Sequence, residues 1–375
     1  MNYKCIRLLS LIMAVIMAFS VCFTAYAEEE QETPLTEEEL IEERIDEIMA
    51  DMTLNEKIAQ MLLVQLPSDA KETQKKQQYG GYLLFANSFK NSNNDKMKKK
   101  IAGFQKVSKI NMLIAVDEEG GSVVRVSKYK QFRKSPYKSP RKIYQNSGWD
   151  GIKNDAKSKS KLLTSLGINT NLAPVADVAY KSSNFIYSRS FSTSASKTSK
   201  FIKYTVKEMN NQNCIGCLKH FPGYGNNGDT HTDMIVDKRS METFEERDLK
   251  PFEAGIKAGV PMIMVSHNIV KCIDKKNTAS MSKKVIKYLR EDMGFEGIII
   301  TDGLGMAGVR KKYGSDAKVA VKAVKAGNDM LCTPYGKTSL KAIKSAVKNG
   351  EIDETRIDES VRRILKMKLK YGIIE

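Results

Sequence analysis

Asp229 and His231 stand two residues apart in the glycine-rich segment that begins Lys219-HFPGYGNNG. A carboxylate this close to an imidazole can hold the ring, set its tautomer and prepare it to act as a general acid and base. Metal binding is the rival use of aspartate and histidine, but no compact second set of ligands accompanies this pair. We therefore expect proton transfer here, with no metal.

Asp302 is the second candidate for chemistry, because it follows the apolar run Gly297-IIIT and precedes Gly303-LGM-Ala307. Little side-chain bulk surrounds this carboxylate, so a sugar ring could approach it closely. Retaining glycosidases use one nucleophilic carboxylate and one acid/base group on opposite sides of the bond they cut. Asp302 and the pair at 229 and 231 supply both roles, and no organic cofactor is expected.

Further polar residues stand where they could bind hydroxyl groups and an acetamido group. Each alone could be a salt bridge, but together at strand ends they favour a binding site. For His267 alone, a core position and a site position are equally expected. The candidate binding residues are Asp117, Glu118, Arg125, Arg189, Lys219 and His220.

Eight short apolar runs alternate with segments long enough for helices, which predicts a single (β/α)8 TIM-like barrel. Polar candidates follow these runs at their carboxyl ends, the active-site face of such a barrel. An open doubly wound sheet shows the same alternation, but no G-x-G-x-x-G follows the first strand. The runs are Met61-LLV-Gln65, Gly80-GYLLF-Ala86, Met112-LIAV-Asp117, Thr170-NLAPVADV, Cys214-IGCL-Lys219, Met262-IMV-Ser266, Gly297-IIIT-Asp302 and Ala326-GNDML.

The first residues predict export from a bacterial cell. Two cations precede the apolar run Leu8–Val21, and Ala25-Tyr26-Ala27 suits a signal peptidase. We expect residues 1–27 to be a signal peptide, 28–35 a flexible acidic leader and 36–375 the barrel. A retained anchor is the competing interpretation, but the run is short for a bilayer span, so no stable membrane span is expected after cleavage.

The chain is strongly basic, with a formal net charge of +17. This charge favours an anionic neighbourhood, and for an exported protein an anionic cell wall is a candidate partner. No nucleic-acid-binding motif occurs, so no nucleic-acid partner is expected. The basic segment 128–142 could border the site, although a solvated loop is the simpler interpretation.

The chain resembles glycoside hydrolase family 3, in its β-N-acetylglucosaminidase (β-N-acetylhexosaminidase) branch. The resemblance covers nearly all of the sequence after residue 35 and rests on motifs that occur in the family's order. These are Met52-TLNEKIAQM, Val116-DEEGGSVVR-Val126, Asn171-LAPVADV, Arg189-SFS, Lys219-HFPGYG, Gly228-DTH-Thr232, Thr301-DGLGM-Ala307 and Asp358-ESVRRIL.

The resemblance implies that Asp302 is the nucleophile, His231 the proton donor and acceptor, and Asp229 the residue that orients His231. It implies a carbohydrate substrate containing N-acetylglucosamine, bound by Asp117, Arg125, Arg189, Lys219 and His220. Glucosidases of the family usually take their acid from a second α/β sandwich domain. We expect none here, so the acid comes from the barrel loop.

Two departures from the family pattern leave the substrate open. Tyr224 stands where the branch often has histidine, and Glu118, Glu119 and Ser122 vary the usual D-Q-E-G-G-R. A β-glucosidase or β-xylosidase of the same family and a non-catalytic glycan-binding protein remain alternatives. Peptidoglycan fragments are the expected substrate, chitin fragments a second choice, and water or phosphate the acceptor.

Overall fold

The structure is a computed structural model that describes residues 13, 35–229 and 234–375. The predicted signal peptide (apart from residue 13), the leader up to residue 34, and His231 with its neighbours 230–233 lie outside the described residues. The chain divides into two compact units, 1–43 and 44–375.

The described part of the first unit contains a helix start. The Thr36 hydroxyl accepts a hydrogen bond from the Glu39 backbone N–H, and the Glu39 carboxylate accepts one from the Thr36 backbone N–H at 2.8 Å. This reciprocal arrangement is a capping box, and the helix α1, Glu37–Ala50, begins there.

Eight parallel strands form the central sheet of the second unit. Seven of them lie within or largely overlap the predicted apolar runs, while β10 begins at the last residue of its run, Leu331. Most are buried along their whole length, as expected for parallel strands covered by helices. They are β1 Leu62–Gln65, β2 Gly81–Leu83, β3 Leu113–Val116, β4 Thr170–Asn171, β5 Ile215–Phe221, β7 Met262–Val265, β9 Ile298–Thr301 and β10 Leu331–Thr333. A separate two-stranded sheet pairs β6, Val236–Asp237, with β8, Ile269–Val270.

The sheet closes on itself. The strand order is β10-β1-β2-β3-β4-β5-β7-β9, and a parallel bridge between Ile300 and Met330 joins β9 to the residue before β10. Registers such as Leu63 with both Gly81 and Cys332 fix the neighbours of β1. The predicted (β/α)8 barrel is confirmed, and the described residues form one barrel without a second sandwich domain.

Helices cover the outside of the barrel. After α1 they are α2 Leu54–Gln60, α3 Ala70–Gln77, α4 Asn94–Gln105, α5 Pro140–Ser165, α6 Ala195–Asn210, α7 Met241–Thr243, α8 Lys250–Lys257, α9 Lys283–Lys287, α10 Ala307–Tyr313, α11 Asp316–Ala326, α12 Gly336–Lys348 and α13 Glu354–Lys370. Turns of 3₁₀ helix occur at Ala86–Ser88, Phe185–Ser188 and Ala279–Met281, and π-helical turns at Phe244–Asp248 and Tyr288–Asp292.

Helix α6 illustrates how the sequence packs the outer layer. Its buried residues, which include Phe201, Ile202 and Val206, recur at three- and four-residue spacing and so share one face. The rings of Phe191 and Phe201 stack with centroids 4.6 Å apart. The barrel core on this side is therefore continuous with the helix layer.

The basic segment 128–142 is only partly irregular. Its first Ser-Pro pair lies outside regular structure, but Pro140 opens α5, where the Ser139 hydroxyl accepts a hydrogen bond from the Lys142 N–H. Proline suits the first helical position because its missing N–H has no partner there in any helix. The end of this segment, expected from the sequence to be a loop, is therefore the start of a helix.

Within residues 13, 35–229 and 234–375, no helix is both long enough and apolar enough to cross a membrane.

Candidate active site

A cavity of about 600 Å³ opens at the carboxyl ends of the barrel strands. It brings together six of the residues predicted from the sequence, because the strands are parallel and their ends meet at one face. These six are Asp117, Arg125, Arg189, Lys219, His220 and Asp302. Their roles in binding and catalysis stay predictions.

Asp302 follows directly on β9 and is half-buried at the cavity wall. Its backbone N–H donates to the Val265 carbonyl at 2.9 Å, so the end of β7 holds it in place. Its Oδ1 accepts a hydrogen bond of 2.7 Å from the Gly303 N–H. Backbone hydrogen bonds thus hold the main chain of Asp302 and one oxygen of its carboxylate, a suitable arrangement for a nucleophile that must meet a substrate in one geometry.

His267 lies behind the cavity wall and does not line the cavity. Its ring is buried, with Nε2 3.2 Å from the Gly303 carbonyl and Nδ1 2.7 Å from the Ser280 hydroxyl. A carbonyl can only accept, so Nε2 carries the proton and the hydroxyl donates to Nδ1. Of the two interpretations of His267, the structure supports the core one, with contact to the segment after Asp302.

Four charged side chains form a buried network beside Asp302 in the cavity. Lys219 Nζ lies 2.8 Å from Asp117 Oδ1 and 2.8 Å from Glu119 Oε1. Arg189 binds both oxygens of Glu119, at 2.7 and 3.0 Å. Two cations balance two anions, which is the condition under which charges can remain inside a protein.

The pKa values in this network follow from its charges. Burial alone would raise the pKa of Glu119, but the charges of Lys219 and Arg189 outweigh burial and lower it to about 2. Burial alone would lower the pKa of Lys219, and the charges of Asp117 and Glu119 raise it to about 12. Glu119 and Lys219 are therefore both ionised across the physiological range.

Arg125 and Glu118, from the same loop, have different surroundings. Arg125 Nη2 lies 3.4 Å from Asp117 Oδ2, and its guanidinium stands 5.6 Å from the centre of the Phe85 ring. Glu118 instead is fully buried and accepts backbone hydrogen bonds from Arg125 and Val126, both at 2.8 Å. Glu118, grouped with the binding residues from sequence, therefore shapes the loop after β3.

His220 lies at the end of β5 and is held by Asp177. Its Nδ1 is 2.8 Å from Asp177 Oδ2, and its Nε2 is 3.3 Å from Arg189 Nη2. The Tyr224 ring meets the imidazole edge-on with centroids 5.1 Å apart. The imidazole orientation is thus set on three sides.

Asp229 lies at the edge of the described residues, and the predicted acid/base His231 lies outside them. The segment that carries them leaves β5 and returns at β6, and its two ends are joined. Arg239 Nη2 donates to the Gly223 carbonyl at 2.9 Å, while its other bonds reach Asp237 and Asp248. A Cβ on Gly225 would stand 2.0 Å from Arg239, so this close approach requires glycine.

Several residues of the site were missed by the sequence-based predictions. Glu119 stands two positions after Asp117, so in an extended segment both side chains share a face, which is a signal that could have identified it. Phe85, Asp237, Asp248 and Arg239 carry no such local signal. Their places depend on which loops meet in the folded barrel.

Comparison with known proteins agrees with this architecture. The model of the glycosyl hydrolase family 3 N terminal domain matches residues 53–367. Beta-hexosaminidase A of Pseudoalteromonas piscicida is 28% identical over 335 residues, which are 81% of this chain and 56% of that protein. The chain therefore spans little more than half the length of this relative.

Two further proteins are similar along most of the chain. A protein described as an uncharacterized secreted glycosyl hydrolase of Arthroderma benhamiae is 31% identical over 302 residues, 76% of this chain and 83% of that protein. The solved glycoside hydrolase family 3 beta-N-acetylglucosaminidase from Paenibacillus sp. superposes with a TM-score of 0.80 at 27% identity, over 86% of this chain and 63% of that one. The resemblance identified from sequence motifs is confirmed, and the chain belongs to glycosyl hydrolase family 3 through its N-terminal domain.

Proposed function

We propose that this protein is a retaining β-N-acetylhexosaminidase that removes β-linked N-acetylglucosamine from peptidoglycan or related glycans. The observation that carries the proposal is the cavity in which Asp302 faces the same space as the Lys219, Asp117, Glu119 and Arg189 network. Fixed charged donors and acceptors suit the hydroxyl groups of one sugar ring. The relatives named beta-hexosaminidase support the same substrate class.

The proposed reaction has two steps. Asp302 attacks the anomeric carbon, the glycosidic C–O bond breaks, and protonated His231 gives its proton to the leaving oxygen. Water then attacks the same carbon, His231 takes the water proton, and the bond to Asp302 breaks. Asp229 would orient His231. The sugar leaves with its β configuration retained, and no cofactor takes part.

We also propose that the protein is secreted and acts outside the cell or at the cell wall. Lys4 and Arg7 before the apolar run, and the small residues Ala25 and Ala27 after it, support export. The net charge of +17 supports residence near an anionic polymer.

The test is hydrolysis of the para-nitrophenyl β-glycosides of N-acetylglucosamine, glucose and xylose by protein that starts at residue 28. We expect preference for the acetamido sugar, lost by at least about a thousandfold in Asp302→Asn. Preference for glucose or xylose would overturn the specificity, and turnover by Asp302→Asn would overturn the nucleophile. Absence of activity on all three would favour glycan binding without catalysis.

A second measurement addresses His231. Its substitution by alanine should slow glycosides with poor leaving groups more than activated aryl glycosides, because only the former need protonation of the leaving oxygen. Equal losses on both would argue against an acid role.

A further inference from the structure

The cavity has two unlike sides. On one side, three polar side chains are almost completely buried: Glu119, from the loop after β3, and Lys219 and His220, from β5, are 5%, 2% and 4% exposed. Polar groups held this way have fixed positions and cannot turn toward solvent. This side suits a ligand that brings many hydroxyl groups into a defined orientation.

A second part of the cavity wall is open and largely apolar. The residues of the cavity lining that are exposed to solvent lie at the end of β1 or follow β2, β9 and β10, which are neighbours in the closed sheet. They are Gln65, Phe85, Ala307 and Pro334, with the half-buried Met306 between them. The cavity therefore opens to solvent across this part of its wall.

Phe85 is the prominent group on the open side. Its side chain is 38% exposed although the two residues before it are buried, and among the large apolar side chains exposed in the described residues it alone is aromatic. The backbone is fixed, since the Phe85 carbonyl accepts a 2.9 Å hydrogen bond from Ser88 in the following 3₁₀ turn. An aromatic ring left in water at a cavity mouth loses the free energy that burial would give it.

We propose that Phe85 is a stacking platform for the sugar ring of the leaving group, so that the site has a second carbohydrate subsite next to the first. This inference rests on the proposed function. The ring that is cleaved off must present its anomeric carbon to Asp302 and its hydroxyl groups to the buried network. The leaving group then extends toward the open side, where Phe85 lies.

The chemistry of a pyranose fits this platform. The ring of a β-linked glucosamine unit has an apolar face made of axial C–H groups, and such a face packs on an aromatic ring, as other apolar groups do. Arg125 lies over the Phe85 ring at 5.6 Å and limits its rotation on that side. The expected occupant is a neutral sugar ring that is covered on one face only.

The experiment compares two substrates with the same glycone. One is the β-1,4-linked disaccharide of N-acetylglucosamine, and the other is N-acetyl-β-glucosaminyl fluoride, whose leaving group contains no ring. In Phe85→Ala, the ratio of kcat/KM for the disaccharide to kcat/KM for the fluoride should fall about tenfold. Phe85→Tyr should keep the wild-type ratio, because its ring is equally flat.

Phe85→Leu is the matched control for apolar bulk without a flat ring, and its ratio should fall as in Phe85→Ala. An unchanged ratio in Phe85→Ala would overturn the proposal, and so would a wild-type ratio in Phe85→Leu. Thermal unfolding of each variant separates these results from misfolding, which would lower both rates together and leave the ratio unchanged.

Failure of the proposed function would be visible separately, as wild-type protein that hydrolyses neither substrate. The platform is then tested by calorimetric titration of the disaccharide and of N-acetylglucosamine. If Phe85→Ala binds the disaccharide more weakly than the wild type does but binds N-acetylglucosamine equally well, the second subsite is supported. If the wild type and Phe85→Ala bind the disaccharide equally well, it is refuted.

Discussion

Asp177 and His220 are joined by two hydrogen bonds to one carboxylate oxygen. Asp177 Oδ2 accepts the His220 backbone N–H at 3.0 Å and lies 2.8 Å from its Nδ1, so Nδ1 carries the proton and Nε2 accepts from Arg189. The other oxygen accepts the Tyr224 backbone N–H at 2.7 Å. One buried carboxylate therefore fixes both a proposed sugar-binding side chain and the start of the segment that carries Asp229.

Asp177→Asn should break one of these hydrogen bonds. An amide replaces one acceptor oxygen by a donor, which leaves a buried N–H of His220 or Tyr224 unpaired at a cost of about 1–3 kcal/mol. We expect a lower free energy of unfolding in urea and a higher KM for the acetamido glycoside. Asp150→Asn, on the exposed side of α5, is the control. A stable variant with unchanged KM would contradict this role.

Glu119→Gln should change how stability depends on pH. The folded-state pKa of Glu119 is lowered from 4.5 to about 2, so its ionisation stabilises the fold above pH 4.5, and this stabilisation is lost as pH falls toward 2. At pH 7 the substitution should reduce the free energy of unfolding by about 3 kcal/mol. The reduction should shrink at pH 3, as measured by urea unfolding at both values.

The control for this variant is Glu47→Gln, which removes an exposed partner of Arg44. A surface ion pair contributes about 0–1 kcal/mol, so little change is expected at either pH. If Glu119→Gln lowers the free energy of unfolding equally at pH 3 and pH 7, the loss of stability comes from the changed shape of the side chain and not from its charge.

The fold was predictable from the sequence because parallel strands covered by helices are apolar along their length. Runs such as Met112-LIAV and Gly297-IIIT therefore mark strands directly, and Asp117 and Asp302 at their ends mark the face on which the cavity opens. These inferences need only local patterns and the rule that parallel strands end together.

The partners inside the site were not predictable in this way. The sequence identifies Lys219 as a candidate, but its bonds to Asp117 and Glu119 join residues that are 100 or more positions apart. His267 was not predictable from the sequence either. Both interpretations of it stayed open until its contacts with Ser280 and Gly303 in the folded protein supported the core position. Such choices are made by tertiary packing, which no local pattern encodes.

Arg239→Met should destabilise the base of the segment that carries Asp229. Arg239 lies 2.6 Å from Asp237 and 2.7 Å from Asp248, and its removal leaves both buried carboxylates without this cation. We expect a loss of about 3–5 kcal/mol in the free energy of unfolding. Arg247→Met removes hydrogen bonds to the carbonyls of Ala179 and Thr193 and a guanidinium 3.7 Å from the centre of the Tyr180 ring, but no direct ion pair with Asp237 or Asp248, and should cost about 1–2 kcal/mol.

We also expect the loss of stability in Arg239→Met to depend on pH. Burial raises the pKa of Asp248 from 3.8 to about 6 although the Arg239 charge opposes the rise. Because the pKa of this carboxyl is higher in the folded than in the unfolded protein, the free energy of unfolding falls as pH rises from the unfolded-state pKa toward the folded-state pKa. Without the Arg239 charge the folded-state pKa is higher still, so this loss of stability grows. Urea unfolding should show a larger deficit of Arg239→Met at pH 8 than at pH 4, and a constant deficit would contradict the assignment.

Lys368→Met should remove a pH dependence that originates far from the cavity. Lys368 in α13 is completely buried, and its Nζ donates to Gln60 Oε1 at 2.8 Å and to the Asn111 carbonyl at 2.7 Å. Burial lowers its pKa from 10.5 to about 7, so the unfolded chain binds a proton more readily than the folded one between these values. Stability should therefore rise with pH from about 7 to 10.5 in the wild type.

The measurement is the free energy of unfolding of wild type and Lys368→Met at pH 7 and pH 9.5, with Lys370→Met on the same helix as the control. Methionine has no titrating group, so the variant should lack the part of the rise that Lys368 causes, while Lys370→Met should keep it. At pH 7 the variant should be as stable as the wild type or more stable, because no ammonium group needs to be neutralised or desolvated on folding. If the free energy of unfolding instead rises equally between pH 7 and pH 9.5 in all three proteins, Lys368 stays charged when buried. Its two oxygen acceptors would then compensate for the lost hydration.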